Sequence, residues 1–206
     1  MTDTYKNFSD LKSSQPKSFT INHENKNTSF LIFTPHGGGI EPGTTEICEW
    51  FNKNGFSYYS FNGTGKKCKN LHITSTRFDE PKLIKYLAKH NRAISFHGMT
   101  DYKKKQFNAD IFLGGLDTKL RESIKKNLQK NGYSVTTSKE FPHSNLAARD
   151  NSNVTNRCAE GRGVQIELSE TIRKSFFIND YRYKKGRTRV TNNFDNFCTI
   201  IKDTLE

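Results

Sequence analysis

Seven short apolar runs, bounded mostly by Gly, Pro or Asn and separated by helical patterns, organise this 206-residue sequence. They read as strands at 19–23, 30–34, 56–61, 93–97, 110–113, 133–137 and 164–169. Helices are expected between them: at 44–54 before Gly55, at 80–90 with Pro81 in the first turn, and from an Asp117 N-cap to Lys130 before Gly132. Two more close the chain, at 170–177 and 193–205. Strands alternating with helices favour an α/β fold: a single domain with a mixed, largely parallel sheet flanked by helices. The length suits one such domain. A hydrophobic content of 33% is low, and 16 Phe and 8 Tyr make up much of the missing apolar area. Residues 1–15 are polar apart from a few side chains and read as a loose lead-in, leaving 16–206 as the domain. Segment 138–163 shows little periodicity and is expected to be a functional loop or lid.

Functional groups of such sheets gather at the carboxyl ends of the strands. The run 30–34 leads into His36-Gly37-Gly38-Gly39-Ile40-Glu41, and the run 93–97 ends in His97-Gly98. His36 and Glu41, separated by residues that include three glycines, can fold back onto one small cation, and His97 reaches the same edge. Two histidines and one carboxylate form a ligand set of catalytic zinc, with a position left for water. Spacing alone leaves His36 open as an ordinary turn histidine and the glycines as a phosphate nest, although a carboxylate after them would repel phosphate. Glu46 competes with Glu41, and His72 or His143 could replace one ligand.

In 164–169, alternation puts Gln165, Glu167 and Ser169 on one face and Val164, Ile166 and Leu168 on the other. Glu167 is then either half of a structural ion pair or a general base beside a metal. Arg149, Arg157, Arg162 and Arg173 could stabilise an oxyanion or clamp a substrate carboxylate.

A formal net charge of +12 calls for a polyanionic partner, which nucleic acid or another anionic polymer would satisfy. The basic tracts 103–105 and 182–189 read as solvated faces. The four cysteines show no CxxC spacing and read as reduced thiols, with disulfides left open. No leader pattern begins the chain and no run is long enough to span a bilayer, so a cytoplasmic product that needs lysis for release is expected.

Five motifs occur in order: Pro35-His36-Gly37-Gly38-Gly39-Ile40-Glu41-Pro42-Gly43-Thr44, then Leu71-His72-Ile73-Thr74-Ser75-Thr76 with Phe78-Asp79-Glu80-Pro81, then Phe96-His97-Gly98, Gly114-Gly115-Leu116-Asp117 and Gly163-Val164-Gln165-Ile166-Glu167-Leu168-Ser169. Together, over about residues 30–175, they closely resemble the poly-γ-glutamate hydrolase family of bacteriophages and bacilli. The resemblance implies a zinc carboxypeptidase-like fold and cleavage of γ-linked polyglutamate, a bacterial capsule or slime polymer. It implies one zinc ion held by His36, Glu41 and His97, with Glu167 as general acid/base. Arg157 and Arg162, near Asn156, are the expected partners of substrate carboxylates, with Arg173 behind them. Glu170 departs from what a polyanion site would want. The expected partner is the anionic polymer, met by a monomer, with no membrane or nucleic acid involved; a phage-encoded enzyme would act outside the cell after lysis. The rivals are another metal-dependent amidohydrolase, acting on peptidoglycan γ-glutamyl links or acylated amino acids, and a basic nucleic-acid-binding phage accessory protein.

Overall fold

All seven expected strands form, and they join one sheet. The computed structural model describes residues 3–206, with strands β1 (Phe19–Glu24), β2 (Phe30–Gly38), β3 (Ser57–Gly63), β4 (Arg92–Gly98), β5 (Ile111–Gly114), β6 (Val135–Thr137) and β7 (Gly163–Leu168). The sheet order is β1-β3-β2-β4-β7-β5-β6. The β1/β3 and β5/β7 pairs are antiparallel and the other four are parallel. The architecture is therefore the expected single α/β domain. The central strands β2, β4 and β7 run in one direction, so their carboxyl ends share one edge.

Alternation along β2 explains the layering. Ile32 enters an apolar cluster with Ile47, Phe51, Phe96 and Phe197, beneath helices α2 (Thr44–Lys53) and α7 (Asn192–Leu205). Its neighbours Leu31 and Phe33 point the other way, into a cluster with Tyr59, Phe61, Leu83 and Leu87, the last two from α3 (Pro81–Leu87). Burying each such side chain contributes roughly 1.5–3 kcal/mol, so both faces of the sheet are needed. Helix α5 (Thr118–Lys130) is capped by Asp117, whose carboxylate accepts from Leu120 N at 3.1 Å. All four cysteines are free thiols.

Residues 3–15 depart from the expected loose lead-in; Met1 and Thr2 lie outside the described residues. Helix α1 (Phe8–Ser14) is N-capped by Asn7, and Phe8 and Leu11 are buried on one side of it. Phe8 stacks edge-on against Phe19 and Phe61, and its amide donates to Asp79 Oδ1 at 2.8 Å. Two apolar residues three apart suffice to dock one turn of helix, and that is too few to show as a period. A second unexpected helix, α4 (Asp101–Phe107), carries the 103–105 lysines and buries Phe107. Helix α6 (Glu170–Ser175) starts where β7 ends, capped by Ser169. Among the described residues no helix is long and apolar enough to cross a membrane.

Candidate functional site

The residue Pro35, which has no amide proton to give the ladder, interrupts β2, and the register against β3 shifts between Thr34 and Gly37. The irregularity leaves His36 unpaired in the ladder and its ring free to reach the sheet edge. The chain then turns back, with Glu41 N donating to His36 O at 2.9 Å. Gly38 sits at φ 69° and would bring a Cβ within 2.4 Å of Gly63 O, so only glycine fits there.

The result is a buried three-residue cluster. His36 Nδ1 lies 3.1 Å from both Glu41 Oε1 and His97 Nδ1, and His97 Nδ1 lies 3.6 Å from Glu41 Oε2. Both histidines are 2% exposed. The His36 ring is oriented through its other nitrogen: Nε2–H donates to Ile73 O at 2.8 Å, which aims Nδ1 at the cluster. His97 Nε2 is buried without a protein partner. Burial pushes the Glu41 carboxyl up, but the charges and hydrogen bonds of His36 and His97 outweigh it and hold the group well below the usual range.

Three donors spaced this way fit a cation. Tetrahedral bonds of about 2.0–2.1 Å place neighbouring ligand atoms about 3.3 Å apart, and the observed separations bracket that value. The ligand types, imidazole and carboxylate, suit zinc.

The strand register sets a second acid beside the cluster. His97 of β4 and Glu167 of β7 are Cα partners in adjacent parallel strands. Glu167 is pushed up to about 8, first by burial and then by the negative charge of Glu41. Gln165 donates to its Oε1 at 2.9 Å, and Asn153 donates in turn to Gln165 Oε1 at 3.2 Å. Arg173, buried in the last turn of α6, lies behind the site. Its guanidinium donates to the carbonyls of Leu168, Pro42 and Met99 at 3.1, 2.9 and 3.2 Å. It packs so close to Gly98 that a Cβ there would meet its Cζ at 2.6 Å. One positive group thus ties together the turns after β2, β4 and β7.

These residues open into a groove of 1310 Å³. His97, Glu41, Glu167, Gln165, Asn153 and Arg173 line it. Arg157, Arg162 and Asn156 lie outside that lining. Arg157 is exposed, and its nearest acceptor is Phe78 O at 3.5 Å; Arg162 is exposed and paired with Glu160 at 2.7 Å. Asn156 is buried and spent on the loop: it accepts from Leu116 N and Gly163 N, and donates to Ala148 O and Asp150 O. Glu46, the rival to Glu41, pairs with Arg187 at 2.6 Å.

Several groove residues were missed in the sequence. Arg187 belongs to the 182–189 tract read as solvated, yet it is buried, with Nη1 on Tyr181 O at 2.7 Å as well as its Glu46 partner. Lys66, Lys69, Lys103, Arg182 and Lys184 line the groove's rim. Charge density in the tracts was the available signal, but it could not say which cations face the site.

Residues 5–200 match the model of the poly-γ-glutamate hydrolase family. The chain belongs to this family of hydrolases. The UPF0714 protein YmaC of Bacillus subtilis (strain 168) is 36% identical over 207 residues, spanning 99% of this chain and 84% of YmaC. A bacteriophage poly-γ-glutamate hydrolase structure superposes with a TM-score of 0.90 at 37% identity, covering 99% of this chain and 97% of the phage protein. A zinc-free apo structure of YNDL gives a TM-score of 0.90 at 30% identity, covering 99% and 98%. The zinc carboxypeptidase-like expectation for the fold is thereby narrowed to the fold of this hydrolase family.

Proposed function

We propose that this chain is a zinc-dependent hydrolase that cleaves the γ-glutamyl amide bonds of poly-γ-glutamate. The observation that carries the reading is the register of β4 and β7, which sets Glu167 beside a cluster of His36, Glu41 and His97 fit for a cation. The family and the phage hydrolase it superposes on supply the substrate class. The zinc-free description of the YNDL structure supports zinc as the metal.

His36, Glu41 and His97 would hold the ion. Zinc supplies a polarised water and positive charge for the oxygen of the substrate carbonyl. Glu167 takes a proton from the attacking water and gives it to the leaving amine nitrogen. Positive charge held in the cluster would favour the carboxylate form of Glu167, the form that accepts a proton. Gln165 and Asn153 orient that carboxylate. Arg173, its N–H groups already on three carbonyls, fixes the strand-end turns and adds positive charge rather than gripping substrate. Cations along the rim are placed to meet the α-carboxylates of successive glutamates. His36, Glu41, His97 and Glu167 all come from one chain, which is compatible with a monomer, and a phage-borne copy would reach the polymer on lysis.

Purified polymer incubated with zinc-loaded protein should shorten on a sizing column, and a parallel sample stripped by chelator should leave it intact. Intact polymer in the presence of verified bound zinc would reject the substrate. A second expectation separates a polymer from a small amide substrate. Raising salt from about 50 to about 500 mM should raise KM for the polymer by roughly tenfold, with kcat little changed, because screening weakens the many rim contacts. A salt-independent KM would remove the basic rim from binding.

A further inference from the structure

The orientation of His36 depends on the carbonyl of Ile73, and that carbonyl shares a rigid peptide plane with the amide of Thr74. On one side of the plane, Ile73 O accepts from His36 Nε2 at 2.8 Å. On the other, Thr74 N donates to Asp3 Oδ2 at 2.8 Å. Asp3 Oδ1 meanwhile accepts from His72 Nδ1 at 2.8 Å, and Arg77 also bonds Oδ2. Asp3 therefore grips both residues that flank Ile73, and its own side chain is fully covered beneath them. The Ile73 side chain is buried in the core, which fixes its Cα. What remains free is rotation of the peptide plane, and that is the freedom Asp3 removes. The held His72 ring also lies against His36, with centroids 4.1 Å apart.

We propose that Asp3 is a positioning residue of the metal centre, acting on His36 through the Ile73–Thr74 peptide. Metal-bound histidines commonly donate their second N–H to a carboxylate or a carbonyl, which fixes the ring and raises its basicity. Here both are present in series. The carboxylate polarises the peptide N–H, and the peptide C=O passes that polarisation to the imidazole. The N-terminal segment thus becomes part of the metal site, far from His36 in sequence. This inference rests on the metal reading above but not on the choice of substrate.

The test is zinc affinity by competition with a chromophoric chelator, together with the visible spectrum of the cobalt(II)-substituted protein. Asp3→Ala should weaken zinc by about 10–100-fold and alter the cobalt spectrum, the range found for second-sphere partners. Asp3→Asn, which keeps an acceptor but not the charge, should fall between it and the wild type. Leu11→Ala, which truncates a buried side chain of α1, should lower Tm and leave zinc affinity unchanged. Wild-type affinity and an unaltered spectrum in Asp3→Ala would overturn the proposal, as would an equal loss of affinity in Leu11→Ala. A wild-type chain that binds no zinc would overturn the metal reading and this inference with it. Weakened zinc without any polymer cleavage would reject the substrate alone.

Discussion

Glu167→Gln is expected to lower kcat by about 10²–10⁴-fold while zinc content and KM stay near those of the wild type. The substitution keeps the shape and the hydrogen bond with Gln165, and removes only the group that carries the proton. It also has a consequence without substrate. In the stripped protein the Glu167 carboxyl sits at about 8 against an ordinary 4.5, raised by burial and then by Glu41. A raised folded-state value means the native state holds the proton more tightly than the unfolded chain. Its stabilising contribution is therefore complete below about 4.5 and is lost as pH rises through about 8. Glutamine mimics the protonated form at every pH. Between these limits, Tm of stripped wild type should fall more steeply with rising pH than Tm of stripped Glu167→Gln. Parallel slopes would mean Glu167 ionises freely, and turnover retained in the variant would remove it from the mechanism.

The strands were legible because each is a short apolar run, and the Gln165–Glu167 face was legible because alternation in β7 follows from the pleat. The far end of β2 was not: Pro35 and the glycines carry no strand preference, and neighbouring strands hold them in place. Helices α1 and α4 dock through one or two apolar residues and left no period to find. The grouping of His36, Glu41 and His97 could be read because chemistry restricts which residue types suit a cation. The placement of the arginines could not, since an arginine's reach is long and its partner is chosen by tertiary contact. Arg162 turns outward to Glu160, whereas Arg187, in a tract that looked solvated, is buried against Glu46 from 141 positions away. Asn153 caps and Asn156 ends one 3-10 turn, Val154–Asn156, and that turn sends the first to the groove and the second into the loop. Asp3 was the hardest to see, because its role depends on a contact 71 residues distant.

His36→Ala should abolish both metal binding and activity, with kcat/KM falling at least about 10³-fold as the positive charge at the carbonyl is lost. Two donors, His97 and Glu41, would remain, one short of the three a catalytic zinc site uses. The defect should appear without substrate. Zinc should raise the wild-type Tm by binding the folded state, whereas the variant should show no shift at the same concentration. Set beside Glu167→Gln, which keeps the zinc shift and loses turnover, the pair separates holding the ion from moving the proton. An active variant replete with metal would remove His36 from the ligand set. His72 is then the neighbour to examine, since its ring already lies against His36 and its Nδ1 alone is committed, to Asp3. The double variant His36→Ala with His72→Ala decides between them: a metal site rebuilt on His72 disappears in it, and one located elsewhere survives.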